Sequence, residues 1–145
     1  MRILLAFVFC VSCMVSYAQA DINGMWKTID DETGKPKSIV KIFTEDGVVK
    51  GKILDLINPK EPDPKCDKCE GAKKDQPVKG MEIIWGMKKN DDEWSGGEIL
   101  DPKNGKTYGC KMRLVEKGTQ LEVRGFLGIS LLGRTQTWHR FTSDF

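Results

Sequence analysis

Cys66-Asp67-Lys68-Cys69 carries the most reactive spacing in the sequence. Two cysteines three apart can close a disulfide, work as a redox dithiol, or supply half of a zinc site. A redox dithiol needs a lowered thiolate pKa, commonly from a helix N-terminus. Here Pro64-Lys65 precede the motif and Glu70-Gly71 follow it, which reads as loop. A structural zinc ion wants four ligands. Beyond the first twenty residues the remaining soft ligands are Cys110 and His139. Cys110 falls on an apolar strand face, the ordinary place for a small buried thiol. His139, the sole histidine, sits on a strand beside Trp138. The expectation is a structural disulfide between Cys66 and Cys69, with no metal and no cofactor. Free thiols, or a bond from one loop cysteine to Cys110, remain open alternatives.

The segment from Arg124 to Arg140 could do a different kind of chemistry. Arg134, Gln136, Trp138 and Arg140 alternate onto one face of a strand. Arg124, on the preceding strand, points away from the face of Leu121 and Val123. Turned inward, guanidinium groups need acidic partners or an anionic ligand, because an unpaired buried charge is very costly. Arginine holds carboxylate or phosphate bidentately. Arg124, Arg134, Gln136 and Trp138 are therefore the candidate ligand-binding residues. The competing reading pairs the arginines with Asp30, Glu98 or Asp101, or leaves them in solvent. Between the two arginine-bearing strands, Gly125, Gly128 and Gly133 interrupt Phe126, Leu127, Ile129, Leu131 and Leu132. A loop that apolar is expected to pack or to meet a partner.

Catalysis is not expected. One histidine leaves little for triads or His-rich metal sites. Ser38, Ser95, Ser130 and Ser143 occur in no G-x-S-x-G elbow, and no Gly-rich phosphate loop is present. Asp30, Asp31, Asp55, Glu98 and Asp101 lie mostly at turns, where aspartate bonds nearby backbone amides. The 23 basic and 21 acidic residues nearly cancel, which excludes a strongly basic nucleic-acid binder.

The elements that must position these residues are strands. Residues 1–20 read as a secretory signal peptide: Arg2 is the only charge, Ile3 to Val15 is apolar, and Ala18-Gln19-Ala20 offers a cleavage pattern. The mature chain, 21–145, is expected to be one exported domain, periplasmic or secreted, without a transmembrane segment. Turn signals recur at Asp30–Gly34, Glu45-Asp46-Gly47, Asn90-Asp91-Asp92, Asp101–Gly105 and Glu116-Lys117-Gly118. Period-two apolar runs lie between them. Tyr108, Cys110, Met112 and Leu114 share one face, as do Leu121, Val123, Gly125 and Leu127, and Met81, Ile83, Trp85 and Met87. Eight strands are predicted to start near 24, 38, 48, 81, 93, 106, 119 and 134. Joined by tight turns, they predict an all-β, antiparallel up-and-down barrel, which removes exposed edges. One connection is long: Asn58 to Val78 holds Pro59, Pro62, Pro64, Pro77 and both loop cysteines.

Several strings resemble a bacterial family of exported proteins, domain of unknown function family 2147. They are Gly24-Met25-Trp26 with Asp30-Asp31, Gly34–Ser38, and Cys66-x-x-Cys69. Asp101-Pro102-x-Asn104-Gly105-Lys106-Thr107-Tyr108, Val123-Arg124-Gly125 and Leu131–Trp138-x-Arg140 complete the match. The resemblance implies a small barrel of lipocalin-like topology and assigns no activity. Gly24-x-Trp26 is also similar to the first-strand signature of lipocalins, in which a late basic residue covers the Trp. Arg140, two residues after Trp138, is expected to fill that place, where an arginine over an aromatic face makes a cation–π contact. Gly24, Trp26, Asp101, Asn104, Gly105 and Arg140 are thus expected to be structural. The leading functional expectation is a non-catalytic envelope protein whose barrel binds a small amphipathic or anionic ligand. The alternative is a solid barrel that contacts another envelope protein or the membrane through Phe126–Leu132 and the long loop.

Overall fold

The computed structural model describes residues 20–129 and 131–143. Eight strands follow one another: β1 (Gly24–Ile29), β2 (Pro36–Glu45), β3 (Val48–Leu56), β4 (Glu82–Asn90), β5 (Glu93–Asp101), β6 (Lys106–Val115), β7 (Gln120–Phe126) and β8 (Gly133–Phe141). Each pairs antiparallel with its successor, and β8 returns to β1 to close the barrel. The predicted strand starts lie within two residues of these. Apart from Ala20, the predicted signal peptide lies outside the described residues.

Turn chemistry sets the hairpins. Asp46 and Gly47 adopt φ of 50° and 75°. This left-handed pair suits a two-residue hairpin, whose twist matches that of the strands it joins. At Asp101–Lys106 the Gly105 N–H donates to the Asp101 carbonyl at 2.8 Å. The Lys106 N–H donates to the Asn104 side-chain oxygen at 2.8 Å. The Asn-Gly pair thus ends a four-residue connection between β5 and β6.

Alternation places one face of every strand inside. Trp26, Val40, Ile42, Ile84, Met87, Met112, Leu121 and Cys110 are almost fully buried there, with Trp138 and Val123 beside them. Each large aliphatic side chain removed from water contributes about 1.5–3 kcal/mol before entropy is counted. Three of the four tryptophans, Trp26, Trp94 and Trp138, belong to this core.

Strand β4 departs from the expected pattern. Its pairing with β3 shifts register twice, between Val49 and Gly51 and between Gly51 and Lys52. Met81, Ile83, Ile84 and Met87 are buried, so the period of two breaks between Ile83 and Ile84. Gly86 takes φ of 71° between Ile84 and Met87, at the irregularity opposite Val49 and Gly51. Each bulge adds one residue to the strand and turns the next side chain over. Trp85 therefore does not share the face of Met87. It pairs across to Glu98 on β5 and is only partly buried.

The up-and-down path gathers four connections at one end, the mouth: β1–β2, β3–β4, β5–β6 and β7–β8. The other three connections and the start of β1 lie at the base.

Candidate functional site

The base is closed by residues from both ends of the chain. The Trp26 Nε1–H donates to the Ile22 carbonyl at 3.0 Å. The Arg140 guanidinium carbon lies 4.2 Å from the Trp26 ring centroid. Its Nε donates to the Gly118 carbonyl at 2.8 Å, Nη1 to Asn23 at 3.2 Å and Nη2 to Asp21 at 2.7 Å. The Arg140 fork thus ties the Trp26 ring to three backbone carbonyls at the base of the barrel. At Gly24, with φ of 135°, a Cβ would press on Arg140 Nη1.

At the mouth, the inner face of β8 forms a short relay. Asp31 Oδ2 lies 2.6 Å from Arg134 Nη2. The same oxygen accepts from Gln136 Nε2 at 2.7 Å. Gln136 Oε1 accepts from the Trp138 Nε1–H at 3.0 Å. Arg134, Gln136 and Trp138 are thus brought together, as their spacing predicts, and a carboxylate of the protein already meets them. The partner is Asp31, not Asp30, Glu98 or Asp101. Asp30 Oδ1 instead accepts from the backbone and side chain of Thr33. The Thr33 amide, with its hydroxyl, holds the Asp30 carboxyl below its ordinary range. Glu98 accepts from Trp85 Nε1 at 3.0 Å. Asp101 Oδ1 accepts from the Lys103 N–H at 2.9 Å.

Arg124 stands apart from this set, on the outer face. Its Nη1 donates to the Thr135 hydroxyl at 2.9 Å and its Nη2 to the Leu131 carbonyl at 3.3 Å. It ties the β7–β8 loop to the strand below it.

The long β3–β4 connection packs on the β5–β6 turn. Cys66 and Cys69 are joined by a disulfide, their Cα atoms 5.3 Å apart, and both are buried. A Cβ on Gly105 would collide with the Lys68 carbonyl. Asn104 Nδ2 donates to the Tyr108 hydroxyl at 2.9 Å, bracing the same turn. Asp101, Asn104 and Gly105 thus shape the shelf on which the loop rests.

Between loop and shelf lies a cleft of about 370 Å³, lined by Cys69, Glu70, Lys73, Trp85, Leu100, Gly105, Lys106, Thr107 and Leu127. That volume falls within the range of small-molecule sites. Trp85 and Leu100 supply an apolar floor, with Leu127 from the β7–β8 connection. The Lys73 amine sits 4.0 Å from the Trp85 ring centroid. Burial pushes it below the ordinary lysine range. The sequence reading does not single out Lys73, Trp85, Leu100 or Lys106 as site residues. Gly86, isolated within an apolar strand run, carries the signal: a glycine there marks a bulge, and a bulge turns Trp85 outward.

Cys110 is fully buried and free. Desolvation pushes its thiol up to about 12. His139 is exposed on β8. Among the described residues, no three His, Cys, Asp or Glu side chains gather as metal ligands, and no helix is long and apolar enough to cross a membrane.

A closed eight-stranded meander, shut at its base by a stacked Trp–Arg pair, defines a lipocalin-like barrel. The chain belongs to the family described as uncharacterized proteins conserved in bacteria (DUF2147), whose pattern matches residues 24–140. Among solved structures it is similar to protein HP1028 from Helicobacter pylori, described as belonging to the lipocalin family. The two share 20% identity over 86% of each chain, with a TM-score of 0.75. At that identity the likeness is one of fold. No curated protein matches the chain.

Proposed function

We propose that this is an exported, non-catalytic binding protein of the bacterial envelope, whose cleft beside the Cys66–Cys69 loop holds a small amphipathic anion. One observation carries the reading. The apolar floor of Trp85 and Leu100 lies beside two lysines, Lys73 and Lys106, in one cleft of ligand size. An acyl or aryl group removed from water on that floor would leave a carboxylate or phosphate near both amines. The site differs from the predicted set, since Arg134 and Gln136 already hold Asp31 and Trp138 is buried in the core. Lipocalin-like barrels offer a scaffold for such binding, but fold alone does not assign a ligand.

Export rests on the pattern of residues 1–20. The bonded Cys66–Cys69 pair supports it, because disulfides persist in oxidising compartments. Cleavage near Ala20 and a periplasmic or secreted destination are part of the same proposal.

Titration with decanoate, followed by tryptophan emission and by native mass spectrometry, tests the reading. One bound decanoate is expected, with binding weakened at least about tenfold in Lys73→Met/Lys106→Met, since each lost charge-assisted contact is worth about 1.5–3 kcal/mol. Equal binding by that variant would remove the cleft from the proposal.

A further inference from the structure

The β7–β8 loop carries a cluster of exposed apolar side chains, of which only Leu127 also lines the cleft. Leu127 and Ile129 are each 59% exposed, Leu131 is 83% and Leu132 is 71% exposed. Among the described residues these are the exposed large hydrophobics of the whole barrel, and they fall within six positions of one connection. Such a cluster marks a contact surface, because scattered single residues are the norm. The chain carries no charge from Gly125 to Gly133, and an arginine stands at each foot, Arg124 and Arg134.

The loop is held in shape. The Leu127 N–H donates to the Leu132 carbonyl at 3.4 Å, and the Leu132 N–H donates to the Ile129 carbonyl at 3.1 Å. Arg124 Nη2 reaches the Leu131 carbonyl from the strand below. At Gly133 a Cβ would meet the Phe126 side chain at 2.8 Å, so the strands approach too closely there for any larger residue. The leucines are thereby presented outward instead of folding back on the barrel.

From this loop we infer that the protein docks by its mouth onto a lipid bilayer carrying anionic headgroups. Three features select a bilayer over a protein. The apolar surface is a projecting tip, which hydrocarbon accepts without a matching groove. Four aliphatic side chains fall short of the roughly 800 Å² per partner that a standard protein interface takes. The charge pattern fits the interface: an uncharged tip enters the acyl region while Arg134 at its foot lies at phosphate level, where a guanidinium group binds bidentately. The Arg134–Asp31 pair is exposed on its arginine side, with 70% of that side chain open to solvent. Exposed pairs are weak, so exchange of Asp31 for a lipid phosphate is inexpensive.

Vesicle flotation of the full exported chain tests this, using phosphatidylethanolamine–phosphatidylglycerol vesicles beside pure phosphatidylcholine ones. The wild-type protein is expected to float with the anionic vesicles. Leu131→Asp/Leu132→Asp is expected to lose at least about tenfold in the floated fraction, with an unchanged circular dichroism spectrum, since both positions are open to solvent. Equal flotation of the two proteins overturns the proposal, as does absence of the wild type from the anionic vesicles. Sedimentation velocity supplies the remaining outcome: a wild-type dimer that the double variant dissolves would assign the tip to a second copy, and also overturns it. Decanoate binding by the double variant separates this result from the cleft, whose lysines it leaves in place.

Discussion

The Arg140 guanidinium carbon lies over Trp26, 4.2 Å from the ring centroid, and joins β8 to β1 where the barrel closes. Around it, three backbone carbonyls from Asp21, Asn23 and Gly118 accept its protons. Removing the side chain strips those acceptors of partners and uncovers the indole. Arg140→Ala is expected to cost about 2–4 kcal/mol, since a hydrogen bond from a charged group contributes about 1.5–3 kcal/mol and the ring contact adds about 0.5–2. Arg140→Lys keeps the charge and loses the fork, so it should recover less than half. Urea unfolding measures both, and a lysine variant as stable as wild type would contradict the role.

Gln136 and Arg134 both bind Asp31 but should behave differently. Gln136 also accepts from Trp138 Nε1, the indole of a buried residue. Gln136→Leu is expected to destabilise by about 1–3 kcal/mol through the unpaired indole N–H. Arg134→Ala should leave the urea midpoint close to that of wild type, because its ion pair faces solvent. The opposite ranking would mean that Arg134, not Gln136, organises the mouth.

The loop disulfide closes a short ring, so its removal should be local. Cross-linking residues three apart in sequence contributes about 2 kcal/mol by chain entropy. Cys66→Ala/Cys69→Ala is expected to keep the far-ultraviolet spectrum of the barrel. Its tryptophan emission should shift to the red as Lys73 leaves Trp85. Global unfolding on reduction would show instead that the loop belongs to the barrel's cooperative core.

The Cys110 thiol gives a pH signature. Burial raises it from an ordinary 9.0 to about 12 in the folded chain. Below pH 9 both states are protonated and the group contributes no pH dependence. Above 9 the unfolded thiol ionises first, so stability is lost as pH rises, by about 1.4 kcal/mol per unit towards pH 12. Cys110→Ala removes this slope. Comparing urea midpoints of the two proteins between pH 8 and 11 checks it, and parallel curves would argue against a buried protonated thiol.

Gly34 and Gly105 share left-handed φ values of 69° and 70°. Nothing lies near a Cβ at Gly34, whereas at Gly105 it would strike the Lys68 carbonyl. Gly34→Ala is expected to cost about 1 kcal/mol, the backbone term alone. Gly105→Ala should cost several times more and loosen the Cys loop. Similar losses at both glycines would show that the loop is not seated on the turn.

Several of these features were already legible in the chain. Asp46-Gly47, Asn104-Gly105 and Glu116-Lys117-Gly118 mark turns because each holds a glycine, which adopts left-handed backbone at no steric cost. Between such turns, period-two runs such as Leu121-x-Val123 can bury only one face. Those local rules are enough to count eight strands and to close them, and Gly24-x-Trp26 with Arg140 locates the base. The alternation of Arg134, Gln136 and Trp138 likewise needs only the strand period. What the sequence could not decide depends on residues far apart in the chain. Asp31 reaches Gln136 across 105 positions, and no local pattern selects it over Asp30. Trp85 faces outward because two bulges in β4 shift its register against β3, which is a property of the pair of strands. Lys73, Trp85 and Leu100 become one cleft only when the Cys loop settles on the β5–β6 turn. Periodicity fixes which side of a strand a residue occupies; only tertiary packing decides what it meets there.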